Sequence, residues 1–152
     1  MSFLKNLFGK SESDKPQSET TNQLLLSFKE QAGQVFNKIV SDKRWDLNNE
    51  LLFSVFGMTF YGYCFGLGRM MYFLEPADIN SFVEDKLVGL GAGKKYVSGL
   101  VDHAYSTFIK PTEGINAQLV GIGHSHLSAT DTTELVDSIF ENAELLKVVL
   151  SY

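Results

Sequence analysis

From Gln23 onward the apolar positions recur with a helical period. Leu24, Leu25, Phe28, Ala32, Val35, Phe36 and Ile39 follow the i, i+3, i+4, i+7 spacing, and Lys29, Glu30, Gln34 and Lys38 fall on the other side. The next segment breaks this two-sided pattern. Leu51 to Gly68 is eighteen residues without a charge, closed by Glu50 before it and Arg69 after it. A helix that is apolar all round belongs in the centre of a bundle or in a membrane. Spanning a bilayer takes about 20 apolar residues. Here Ser54, Thr59, Tyr61 and Tyr63 sit mid-run, and Gly57, Gly62, Gly66 and Gly68 dilute it further. The expectation is a buried central helix over about residues 47–74, capped by Asp46, with no transmembrane span. Gly62 and Gly66 have the small-xxx-small spacing that lets a neighbouring helix come close. Arg69 is expected to reach solvent or a carboxylate, because a buried unpaired guanidinium is costly.

Pro76 marks a break and restart. Ile79, Phe82, Val83, Leu87 and Leu90 continue the helical period until Gly89, Gly91 and Gly93 interrupt it. Val97, Leu100, Val101, Ala104, Tyr105 and Phe108 form another stripe, stopped near Pro111. Ile115, Leu119 and Ile122 suggest a short helix. A last one follows, capped by Thr130 or Asp131 and running to about Leu150, with Leu135, Ile139, Ala143, Leu146 and Leu150 facing the core. No segment alternates with period two and no hairpin signal occurs. The pattern predicts an all-α, compact bundle of five or six helices around the long central one.

Ahead of this domain, assigned to residues 23–152, lies a tail. Residues 11–22 are polar and contain Pro16, which reads as a flexible linker, so residues 1–22 form a flexible N-terminal tail. Its start is a short amphipathic island: Phe3, Leu4, Leu7 and Phe8 with Lys5 and Lys10. Such an island suits a docking peptide or weak membrane-surface contact by residues 3–8.

Composition adds a few limits. At 152 residues the chain is sized for one domain, and twelve Phe and six Tyr make its core aromatic. The single Cys64 lies in the apolar run, cannot form an internal disulfide, and fits a reducing, cytoplasmic setting without a secretory signal. The net charge of −5 sits wholly in residues 76–152, where ten acidic side chains meet five basic ones. That argues against nucleic-acid binding and suits a basic protein partner.

The candidate catalytic motifs fail on spacing. Gly89-Leu90-Gly91-Ala92-Gly93-Lys94-Lys95 lacks the first glycine of a phosphate loop, where Val88 stands, and has Lys95 in place of Ser or Thr. It reads as a helix-to-helix hinge. Gly121-Ile122-Gly123-His124-Ser125-His126 ends in Leu127 where a nucleophile elbow needs glycine. His124 and His126, with His103 or Asp131, would make a metal site only on extended backbone, since i and i+2 diverge on a helix. Asp102 and His103 are adjacent, so they do not face each other on a helix. No metal, cofactor or catalytic residue is assigned, and the chain is expected not to be an enzyme.

The last helix carries the strongest functional signal. Glu134, Asp137, Glu141 and Glu144 recur at +3, +4 and +3, which gathers them into a band ~80° wide, with Asp131 at the helix start. No basic residue lies between Asp131 and Glu144. Like charges at this spacing cost a few tenths of a kcal/mol each, so an uncompensated stripe suggests a docking face. The resulting expectation is a non-enzymatic helical binding protein, most concretely a small acidic inhibitor or immunity-type protein that occludes a basic toxin or nuclease. The alternatives are a pocket for an apolar ligand or lipid, lined by Phe56, Phe60, Tyr63 and Met70 with Phe53, Tyr61 and Phe65, or a membrane-associated helical protein. None of these readings fixes the oligomeric state, and a homo-oligomer would bury one end of the stripe.

Overall fold

The computed structural model describes residues 10–129 and 131–151, with side chains from Thr20 onward. Among them the chain is all-α, with six helices: α1 Lys10–Val40, α2 Glu50–Gly66, α3 Pro76–Gly89, α4 Lys94–Ile109, α5 Ile115–Ser125 and α6 Thr133–Leu150. A π-helical turn, Leu67–Met71, extends α2.

The apolar run is the core helix the sequence predicts. Phe56, Phe60, Tyr61 and Cys64 are fully buried. Glu50–Met71 is the one helix among the described residues long and apolar enough to cross a bilayer, and 83% of its most apolar window is buried against other helices. Burial pushes the Cys64 thiol well above its ordinary pKa, which leaves it a neutral packing group. Aromatic rings fill the space between elements: Phe36 packs on Phe56 and Phe60, and Trp45 stands edge-on to Phe56 at 5.0 Å.

Glycine determines the closest helix pair. α5 packs more extensively on α2 than does any other element. A Cβ on Gly62 would lie 1.9 Å from the Val120 carbonyl oxygen, and one on Gly123 would lie 1.8 Å from that of Thr59. The two helices therefore touch backbone to backbone, and each glycine admits the other helix. The Gly62 half of this contact follows from the small-residue spacing. The Gly123 half sits inside the Gly-His-Ser-His segment, whose glycine is thus a packing residue.

The apolar stripes of α1, α3 and α4 point inward as their periods predict. Phe28, Ala32 and Ile39 of α1, Ile79 and Val83 of α3, and Val97 and Val101 of α4 are all fully buried. Pro76 opens α3 at its first position, where a missing N–H costs nothing. Gly91, at φ 103°, turns the chain between α3 and α4, as expected of a helix connection.

α1 starts at Lys10, so the backbone of residues 10–22 belongs to it. The island at residues 3–8 lies outside the described residues. Several local expectations are corrected elsewhere. Asn49, not Asp46, caps α2: its side chain accepts the Leu52 N–H at 3.0 Å, while Asp46 accepts that of Asn48. Thr132 takes the cap position of α6 without a side-chain bond, Asp131 accepts the Thr133 N–H at 2.9 Å, and Thr130 lies outside the described residues. Leu150, assigned to the core-facing stripe, is 62% exposed at the last position of α6, where a helix end has fewer neighbours than its middle. Arg69 is exposed, as expected, and donates to the Leu74 carbonyl oxygen at 2.8 Å.

Candidate partner-binding surface

α6 lies along α2 and turns its remaining side outward. Leu135 and Ile139 are fully buried, and Val136, Phe140 and Ala143 nearly so. This inward stripe fixes the rotation of the helix and places the acidic band on the solvent side. Glu134, Glu141 and Glu144 are exposed, and Asp137 is half-buried at the edge of the band. Asp131 is exposed at the helix start, and its carboxyl is held below the usual range by the Thr133 backbone N–H.

One member of the band is not free. Arg44, in the loop between α1 and α2, donates to Asp137 at 2.8 Å and to Asp42 at 2.9 Å. Its guanidinium also lies 4.5 Å from the centre of the Phe140 ring. The stripe is thus compensated at Asp137 by a base 93 residues away in sequence, which neighbour counting along the helix cannot see. Among the described residues no ion pair is found for Glu134, Glu141 or Glu144. Lys38 of α1 adds a second tether at the helix start, donating to Thr132 at 2.9 Å.

The far end of the band opens into a surface cavity of about 470 Å³. Glu141, Glu144, Arg44 and Lys147 line it together with Leu51, Leu52 and Phe140. Two carboxylates and two cations thus share a recess with an apolar lining. The sequence reading found the carboxylates but missed Arg44, Phe140 and Lys147. Only Lys147 carried a local signal, as the first base after the acidic run.

The other candidate groups do not converge. Phe56, Phe60 and Tyr63 are buried in packed core, whereas Met70 is 58% exposed on the π-helical turn. None of these four lines the cavities on the α2, α5 and α6 surfaces. His124 is packed beside Phe108, His126 is bonded through Nδ1 to the Ile122 carbonyl oxygen at 2.8 Å, and His103 is exposed on α4. Among the described residues no three His, Cys, Asp or Glu side chains stand close enough to hold a metal ion. Lys94 and Lys95 are exposed at the start of α4, while Glu50 lines the adjacent cavity with Gly91 and Gly93. Searches among protein families, curated proteins and solved structures find no match to this chain.

Proposed function

We propose that this chain is a non-enzymatic, intracellular helical binding protein whose α6 face docks a basic protein partner. The observation that carries the reading is the set of three exposed carboxylates, Glu134, Glu141 and Glu144, on one helix face with no ion pair among the described residues. Charge of one sign on a rigid helix speeds encounter with an opposite surface and penalises wrong partners. In its most concrete form the protein is a small inhibitor of the immunity type, which covers the basic cleft of a toxin or nuclease and blocks it by occlusion.

The test is capture from native extract with wild type and with a Glu134→Lys/Glu141→Lys/Glu144→Lys variant. Asp137 is left intact because Arg44 depends on it. Circular dichroism confirms that both are folded. A basic protein retained by wild type, released by moderate salt and lost from the variant supports the reading. Equal retention by both contradicts it.

A further inference from the structure

Two recesses adjoin where α2 meets α4, α5 and α6. One, of about 310 Å³, is bordered by Leu51 and Val55 of α2, Ile115 and Leu119 of α5, and Leu146 and Leu150 of α6. The other, of about 410 Å³, is bordered by Met58 of α2 and by Lys95, Tyr96 and His103 of α4. Ser54 and Asn116 line both, so the two recesses meet at these side chains and form one groove.

The two ends of the groove differ in chemistry. Apart from Ser54 and Asn116, the first recess is lined by aliphatic side chains, of which Ile115 and Leu150 are 45% and 62% exposed. At the other end Ser54 Oγ and Tyr96 Oη lie 2.9 Å apart. Whichever of them donates, one hydroxyl proton is used between the two oxygens and the other is left to donate elsewhere. Lys95 is exposed, and no ion pair is found for it among the described residues. Among the described residues no Asp or Glu lines either recess, although residues 76–152 hold ten acidic side chains against five basic ones. An aliphatic trough that runs into a cation and a hydroxyl donor complements a molecule with an apolar tail and one negative head. A cationic head would meet Lys95 with no carboxylate in the groove to hold it. Ligand pockets span roughly 300–1,000 Å³, so the apolar end is at the small limit and suits one chain, not two. Covering Ile115 and Leu150 with that chain removes apolar surface from water. We infer that this groove binds a single-chain alkyl carboxylate of the fatty-acid class, with its carboxylate at Lys95 and Tyr96 and its chain along Leu119, Leu146 and Leu150.

This site is independent of the basic partner, since its charge has the opposite sign and its test needs no second protein. The purified full chain is titrated by calorimetry with dodecanoate, decanoate and decanol, each below the concentration at which it aggregates. Dodecanoate should fill one saturable site. Decanoate should bind about 4- to 15-fold more weakly, according to how fully the last two methylenes are covered. Decanol, which lacks the charge, should bind more weakly than decanoate. Lys95→Glu should weaken decanoate by about tenfold, because an attraction becomes a repulsion, and should leave decanol within about twofold. Leu150→Asn should weaken both probes alike. Both variants change exposed side chains, and circular dichroism confirms that they are folded. A wild type without saturable binding of dodecanoate overturns the inference. So does equal affinity for decanoate and decanol, an equal effect of Lys95→Glu on the two, or a Leu150→Asn chain that binds as wild type does.

Discussion

Two single residues are held in unfavourable states by their surroundings. Thr59 is fully buried and its hydroxyl has no hydrogen-bond partner among the described residues. An unsatisfied buried hydroxyl costs ~1–3 kcal/mol, and valine keeps the branched shape without it. Thr59→Val should therefore raise stability by ~1 kcal/mol in a denaturant titration, and a loss would show that the hydroxyl is satisfied in solution. Phe73 has φ 55°, a left-handed conformation that bulky residues rarely adopt, yet its ring is 77% exposed. Asparagine tolerates that backbone better and little packing is lost, so Phe73→Asn should be neutral or stabilising by up to about 1 kcal/mol. A clear fall in melting temperature would mean that the ring is packed. Both features were illegible in the sequence. Thr59 and Phe73 look ordinary there, and only the tertiary environment sets their hydroxyl partners and backbone angles.

At the scale of elements, the helices were readable because burial imposes a period. Phe28, Ala32, Val35, Phe36 and Ile39 spell out the inner face of α1, and the uncharged run spells out α2. Ends were read less well. Asp46 is the cap the sequence suggests, but Asn49 is the residue whose side chain stands at the Leu52 N–H. Leu150 fits the inner stripe of α6 by period yet is 62% exposed, because it is the last residue of the helix. The α2–α5 contact gives a sharp contrast among glycines. Gly62→Ala and Gly123→Ala force a methyl into a carbonyl oxygen of the facing helix, so each should cost about 3 kcal/mol or more. Gly121→Ala, on the open side of α5 with nothing within 4 Å, should instead stabilise by ~0.5–1 kcal/mol through helix propensity. Thermal unfolding of the three variants checks the contrast, and similar effects at Gly121 and Gly123 would contradict backbone contact.

For the molecule as a whole, the loop between α1 and α2 joins distant parts of the fold through Arg44. The guanidinium's hydrogen bonds hold the Asp42 carboxyl at about 2, down from 3.8. A depressed carboxyl contributes stability that is present above its unfolded value and lost as pH falls through its folded one. Some stability should therefore disappear between about pH 4 and pH 2, and Asp42→Asn should flatten the curve in that window. An unchanged curve would show that the junction is open in solution. The same guanidinium explains why the candidate surface was only partly legible. The spacing of Glu134, Asp137, Glu141 and Glu144 revealed the band, but Asp137's partner and the apolar recess come from residues far away in sequence.

The central claim is that exposed carboxylates on α6 dock a basic protein. Its most direct test is the affinity of the purified chain for the captured protein, measured by calorimetry at low and high salt. Wild type should bind tightly at low salt and weaken steeply as salt rises, and the Glu134→Lys/Glu141→Lys/Glu144→Lys variant should lose most of its affinity at low salt. Affinity that is unchanged by salt and by charge reversal would contradict the account.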